Sequence, residues 1–347
     1  MEKILFKNDK NLYKANLHCH TTLSDGECSP EEIKAMYKAR GYSVVAYTDH
    51  NKLENHSYLN DSRFLALNAC EVNVNQKPQS ESPAQPTPPT RLESPAQPAP
   101  PTQPTQLEQP APPAQPAPAR QVKTYHLNLY SCDPNITLTP PRMRMAYEDI
   151  GAINAYIQDR INEGYLVCYN HPYWSMQTYE DYSKLNGCFA MEIYNNGCEV
   201  TDGYYGYNPQ AYDEMLRCGN KLFCFSTDDN HNRLLPDEPD GDSFGGFTIL
   251  NADSLNYGDI MESLKTGNFY SSQGPDIHEI AICDNKLYVK CSDVNLIVVY
   301  TDTRTCYCKK GISINEAEFT LSGIDRYVRV MCRDGDKLDA NSNAYWF

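Results

Sequence analysis

Short apolar runs recur along this chain, and polar residues capable of binding a metal stand at their ends. ANLHCH (residues 15–20), VVAYTDH (44–50), FLALNACE (64–71), LVCYNH (166–171) and LFCFSTDDNH (222–231) each read as a buried strand. Helical patterns lie between them. PEEIKAMYKARG opens with Pro30 behind Ser29 and closes at Gly41, the order expected of a capped helix that leads into the strand SVVAY. AYEDIGAINAYIQDRINEG (146–164) is amphipathic and stops at glycine before LVCYNHP, and NPQAYDEMLRCGN (208–220) precedes LFCFS in the same way. Strands alternating with helices predict an α/β fold with a parallel sheet or barrel, whose C-terminal strand ends converge on one face. After Gly274 and Pro275 the pattern changes. KLYVKCS, NLIVVYT, AEFTLSG and RYVRVMCR alternate with period two and predict a small antiparallel β unit. The expected organisation is a catalytic domain over residues 1–275 and a β-rich module over 276–347.

One segment follows different rules. From Lys77 to Arg120 the chain is almost all Pro, Ala, Gln, Thr and Ser, and ESPAQPTPPT (81–90) is echoed by ESPAQPAPPT (93–102). It has neither the apolar residues for a core nor the amide donors for a sheet, which predicts a disordered, solvated, polyproline-II-rich insert without chemistry of its own. The alternative is a docking ligand for a proline-binding domain. Long flexible loops close at small entropic cost, so the residues on either side can still meet.

Composition narrows the class. The 347 residues, 40% of them hydrophobic, are enough to bury a large core. Fourteen cysteines show no CxxC pair and no regular framework, and Cys70, Cys168 and Cys224 lie within apolar runs. With no signal peptide and no apolar span near twenty residues, the expectation is a cytoplasmic protein with reduced thiols and no membrane partner. A formal charge of −15 argues against long nucleic acid as a partner. A small anion remains compatible, because divalent cations would dominate the field of their own pocket.

The candidate chemistry lies in nine side chains: His18, His20, Asp25, His50, Glu71, His126, His171, Asp229 and His231. Imidazole with carboxylate suits zinc, manganese or iron, so two or three divalent ions are the expected cofactors. On a strand, His18 and His20 point to one face and Cys19 to the other, toward the core. Asp229 and His231 repeat that spacing, which turns Asp228 away as a supporting group. Six of the eight histidines belong to this series; His56 and His278 do not.

HCHTTLSDGECSPEEIKAMYKARGYSVVAYTDHN, the later NHP and TDDNH together resemble the PHP superfamily, named for polymerase and histidinol phosphatase. The likeness spans roughly residues 14–275 without the insert, and YSSQGPDI with the following β unit is similar to its carbaryl-hydrolase-like stand-alone branch. The resemblance implies a distorted (β/α)7 TIM-like barrel with a di- or trinuclear site. It places one ion on His18, His20, Glu71 and Asp229, bridged by Glu71 to a second on His126 and His171, with a third on Asp25, His50 and His231. It also implies a phosphoesterase in which a metal-bound hydroxide attacks a small phosphate ester or nucleotide, with Asp25, His50, Glu71 and His231 counted as catalytic. Arg233, Arg142 and Arg144 are candidates for gripping the phosphate, against the alternative that each is simply exposed. Ser24 and Thr48 lack a triad and are expected to support the ligands. Tyr204, Tyr205 and Tyr207 either line a substrate cleft or pack at the surface. A metal-dependent hydrolase of carboxylic esters, amides or carbamates is the first alternative, and a non-catalytic metal-binding module the second.

Overall fold

The computed structural model describes residues 2–77, 122–235, 238–322 and 326–347. Residues up to Gln76 and from Lys123 onward form one compact unit. The insert expected over 77–120 lies, Lys77 apart, outside the described residues.

Ten strands precede the tail: β1 (Glu2–Lys7), β2 (Asn11–Asn16), β3 (Val44–Tyr47), β4 (Leu65–Asn75), β5 (Thr124–Ser131), β6 (Tyr165–Tyr169), β7 (Ala190–Asn195), β8 (Phe223–Thr227), β9 (Phe247–Ala252) and β10 (Phe269–Ser272). Helices α1 (Pro30–Ala39), α2 (Ile150–Asn162), α3 (Tyr179–Tyr182), α4 (Asn196–Val200), α5 (Pro209–Arg217) and α6 (Tyr257–Thr266) fall between them. The three longer helical stretches read from the pattern are α1, α2 and α5. At the start of α1, Ser29 accepts from the Glu32 amide and the Glu32 carboxylate from the Ser29 amide, closing a capping box.

Neighbouring strands run β9-β2-β3-β4-β5-β6-β7-β8. Within that run β2, β3 and β4 are parallel, as are β6, β7 and β8. The exceptions are β9, antiparallel to β2, and β5, antiparallel to both β4 and β6. The latter forms a hairpin with β4, in which Asn75 faces Thr124 and the Gln76 amide bonds the Lys123 carbonyl. The chain thus leaves for the insert and returns from it at two bonded neighbours, so a long insertion there disturbs no other pairing.

The expected barrel is met as a mixed α/β architecture with a large sheet, but the hydrogen-bonded ladder does not close. Beyond their tips, β2 and the last strand of the run, β8, are joined by an isolated parallel bridge between Cys19 and Asn230. Inside the curve, Leu17, Val44, Leu67, Tyr130, Cys168, Ala190 and Phe225 form one buried cluster. Cys19 turns outward into another with Ile33 and Tyr37 of α1, as the period of two requires.

The tail consists of β11 (Ile277–Cys283), β12 (Lys286–Thr301), β13 (Cys306–Thr320), β14 (Tyr327–Arg333), β15 (Asp339–Ser342) and β16 (Tyr345–Trp346), all paired antiparallel. KLYVKCS and NLIVVYT, two runs in the sequence, belong to the single strand β12. Its first half pairs with β11 and its second with β14, with register shifts around Val294 against β13. All fourteen cysteines are free. Among the described residues no helix is long and apolar enough to cross a membrane.

Candidate metal centre

All nine side chains singled out by their spacing come together at one rim of the sheet. His18 and His20 follow β2, His50 follows β3, Glu71 lies on β4, His171 follows β6, and Asp229 and His231 follow β8. His126, which ends none of the apolar runs, reaches the rim from the other end of a strand. It is the third residue of β5, and because β5 is inverted its beginning lies at the rim, with His126 opposite Asn73. Asn16 joins the two ends of the curve. Its Oδ1 accepts from the amides of His18 (3.3 Å) and Asp228 (3.0 Å), and its Nδ2 donates to Asn230 (2.9 Å). His171 and Asp229 take positive φ, 23° and 51°, which side chains other than glycine adopt at a cost of about 1–3 kcal/mol. Strain of that size at two ligand-bearing turns marks a rim whose shape is held by its surroundings.

The distances fit shared cations. Metal–ligand lengths of about 2.0–2.2 Å put donors on one ion roughly 3.0–3.6 Å apart. His18 Nε2 lies 3.1 Å from His20 Nε2, 3.1 Å from Asp229 Oδ1 and 3.4 Å from Glu71 Oε1. Glu71 is the hub, with its oxygens 2.9 Å from His126 Nδ1, 3.0 Å from His50 Nδ1 and 3.5 Å from His171 Nε2. Asp25 draws in the outer group, 3.4 Å from His20 Nδ1, 3.4 Å from His231 Nε2 and 3.6 Å from His50 Nε2. Four overlapping groups follow: His20, Asp25, His50 and His231; His18, His171 and Asp229; His18, His20 and Glu71; His50, Glu71 and His126. They share members more than the three-ion partition implied by the resemblance, since His171 joins His18 and Asp229, and His20 joins the outer group.

The donors shift one another's protonation. Burial disfavours the His18 cation, yet Asp229, Glu192 and Glu71 raise it well above the ordinary imidazole range. Burial likewise opposes ionisation of Glu71 and Asp229, and the surrounding histidines overturn it and hold both far below the usual carboxylate range. Against its burial, Glu71 and Asp25 raise His50 to about 9. His20 goes the other way: burial, with His231 and His18 beside it, outweighs Asp229 and lowers it to about 4.

A supporting ring surrounds the donors, and its main member was not foreseen. Glu192 on β7, fully buried, accepts from His18 Nδ1 at 2.6 Å, Thr227 Oγ1 at 2.7 Å, Asn195 Nδ2 at 3.0 Å and the His171 amide at 3.1 Å. It fixes the His18 ring with Nε2 toward the cluster. Asn170 donates to Glu71 (2.8 Å) and Asn195 to Asp229 (3.0 Å). The Ser175 hydroxyl sits 3.2 Å from His171 Nδ1, and the Asp229 carbonyl 3.0 Å from His231 Nδ1.

Asp228 turns away and accepts from Tyr37 Oη and the amides of Phe244 and Gly246; burial pushes its carboxyl up to about 7 against those donors. Ser24 donates to Asp49 at 2.7 Å and Thr48 to the Cys19 carbonyl at 3.1 Å. His56 packs on Tyr47 outside the cluster. Above the donors is a cavity of about 170 Å³, also lined by Trp174, Thr201, Asp202, Arg233 and Asp242. Arg233 lines this cavity and is itself exposed. Arg142 and Arg144 do not line it: both sit exposed on the irregular segment between β5 and α2. Tyr205 and Tyr207 line a separate groove with Tyr173, Tyr179 and Tyr182.

No family model matches the chain and no curated protein matches it. Solved structures do. A two-domain protein from Bacteroides vulgatus, described as containing a predicted PHP-like metal-dependent phosphoesterase, is 13% identical over 99% of this chain and 97% of its own, with a TM-score of 0.46. An amidohydrolase from Chromobacterium violaceum, with bound sulfate and no metal, is 12% identical over 62% of this chain and 87% of its own, with a TM-score of 0.33. A provisionally described metal-dependent phosphoesterase from Bifidobacterium adolescentis is 11% identical over 65% of this chain and 90% of its own, also at 0.33. Likenesses this distant assign neither chemistry nor residue roles, and the weight falls on the nine donors.

Proposed function

We propose that the chain is a metal-dependent hydrolase of the PHP type acting on small phosphate esters at a di- or trinuclear centre. The observation that carries this reading is the convergence of six imidazoles and three carboxylates at ligand spacing beneath one open cavity. His18, His20, Glu71 and Asp229 would hold the innermost ion, His126 and His171 would join Glu71 at the next, and Asp25, His50 and His231 would complete an outer position. Divalent ions at these positions supply Lewis acidity, lowering the pKa of water and offsetting charge on a leaving oxygen. Glu192, Asn170 and Asn195 keep the donors aimed, so little reorganisation is left for the reaction itself. Asp25 and His50, with side chains 43% and 28% exposed, face the incoming substrate, and Arg233 is placed to grip its phosphate. The Ser24 hydroxyl lies 2.7 Å from Asp49 and 3.2 Å from Asp25, and the Thr48 hydroxyl donates to the Cys19 carbonyl, so in this reading both support the ligands. Divalent ions among the three carboxylate donors would dominate the field inside the pocket and draw in an anion despite the net charge of −15, although Asp202 and Asp242 also line it. In this reading residues up to about 275 carry the chemistry and the β-rich tail buttresses them.

Turnover of p-nitrophenyl phosphate, bis-p-nitrophenyl phosphate and p-nitrophenyl acetate, with manganese and with chelator, tests the proposal. Phosphate ester turnover abolished by chelator is the expected result. Acetate turnover alone would move the reaction to carbonyl carbon, and metal uptake with no turnover would leave a binding module.

A further inference from the structure

The cavity of about 170 Å³ is smaller than the roughly 300–1,000 Å³ that encloses a drug-sized ligand. It takes an ester group and the first few atoms beyond it, and the rest of a substrate must lie against the rim. One side of that rim is Trp174, the only aromatic side chain apart from the histidines among the residues that line the cavity. Its position is over-determined. The turn that carries it is closed by the Ser175 amide bonding the His171 carbonyl at 3.1 Å and the Gln177 amide bonding the Pro172 carbonyl at 3.0 Å. The indole packs edge-on with His171 and His126, with ring centroids 5.0 Å and 5.5 Å away and interplanar angles of 81° and 62°. Its Nε1–H donates to Asp202 Oδ2 at 2.6 Å. With that donor committed, the indole has no hydrogen bond to offer a substrate. What it offers is a rigid aromatic surface beside the donors, and such surfaces favour flat rings over flexible chains by stacking geometry and low ordering cost.

We propose that Trp174 is a specificity-determining residue whose indole forms one wall of the leaving-group subsite and selects phosphate monoesters of planar ring alcohols over those of flexible aliphatic alcohols. The inference deepens the phosphoesterase reading and rests on it. The test compares kcat/KM for phenyl phosphate and glycerol 2-phosphate in the wild type, Trp174→Ala and Trp174→Phe, with metal content measured in each. Taking the ratio cancels the intrinsic reactivity of the two esters. Loss of an aromatic pair predicts a fall of about ten-fold in the phenyl-to-glyceryl ratio for Trp174→Ala, most of it regained in Trp174→Phe. A ratio that stays constant, or two rates that fall in parallel, would overturn the role.

If the wild type cleaves neither ester, a binding measurement still decides the role of Trp174. The chain has two tryptophans, and the second, Trp346, stacks near Tyr327 at 5.0 Å on β16. Uncharged 4-nitrophenol, titrated at pH 6 in chelator, should quench indole fluorescence saturably in the wild type. That component should be absent from Trp174→Phe, and equal quenching in both proteins would refute a ring subsite at this position.

Discussion

Two buried polar clusters in this protein obey opposite rules. Where β14 meets α5, Arg329 faces Asp213 in a bidentate pair, Nε to Oδ1 at 2.6 Å and Nη2 to Oδ2 at 2.8 Å, with its guanidinium 4.1 Å from the Tyr300 ring. Each guanidinium nitrogen there meets an acceptor, Nη1 reaching Asn341 Oδ1 at 3.4 Å. At the rim the arithmetic fails. His18 spends its Nδ1 proton on Glu192, so its Nε2 lone pair, His20 Nε2, Asp229 Oδ1 and Glu71 Oε1 share at most the single proton that a neutral His20 can carry on Nε2. Acceptors crowded on acceptors need a cation or a bound proton between them. The first arrangement is what burial asks of a structural ion pair, and the second is what a ligand site looks like.

Substitutions should therefore sort by cluster. Glu71→Gln removes the residue shared by two of the four groups and should cost roughly 10³-fold or more in turnover together with at least one ion per chain, read by kinetics and elemental analysis on the same sample. Arg329→Ala should lower unfolding free energy by about 3 kcal/mol or more, because Asp213 is left as an unpaired buried charge. Its metal content should stay at the wild-type level, and a parallel loss of metal would erase the distinction between the clusters. Glu192→Gln keeps the shape of the carboxylate but weakens its hold on the His18 tautomer, which predicts a metal affinity about 10–100-fold lower by competition with a chromophoric chelator. The smallest effect is in proton balance. Without metal, His18, His50, His171 and His231 are raised by their carboxylates, His50 to about 9, so ions arriving at pH 7 displace protons. Affinity should rise with pH through that range, and calorimetry in buffers of different ionisation enthalpy should show protons released, not taken up.

Most of the ligands could be read from the chain because they end or follow an apolar run, and a period of two converts HCH and DNH into aimed pairs. Glu192 could not. It stands alone in FAMEIYN, and its partners His18 and Thr227 come from strands far away in sequence. A lone carboxylate in an apolar strand does signal a buried partner, without saying which. The inversion of β5 was hidden for a different reason: the sequence between β4 and β5 is a long proline-rich segment whose composition carries no hairpin signal. In β12, Asp293 reads as a turn residue, yet the strand absorbs it where the register shifts and the partners change.

Everything turns on whether cations occupy the rim. Protein loaded with manganese, desalted and measured by elemental analysis beside His18→Ala should hold two or three ions per chain, with at least one fewer in the variant and no hydrolysis left. Wild-type protein that retains no metal after loading, or a variant that retains as much, would contradict the account.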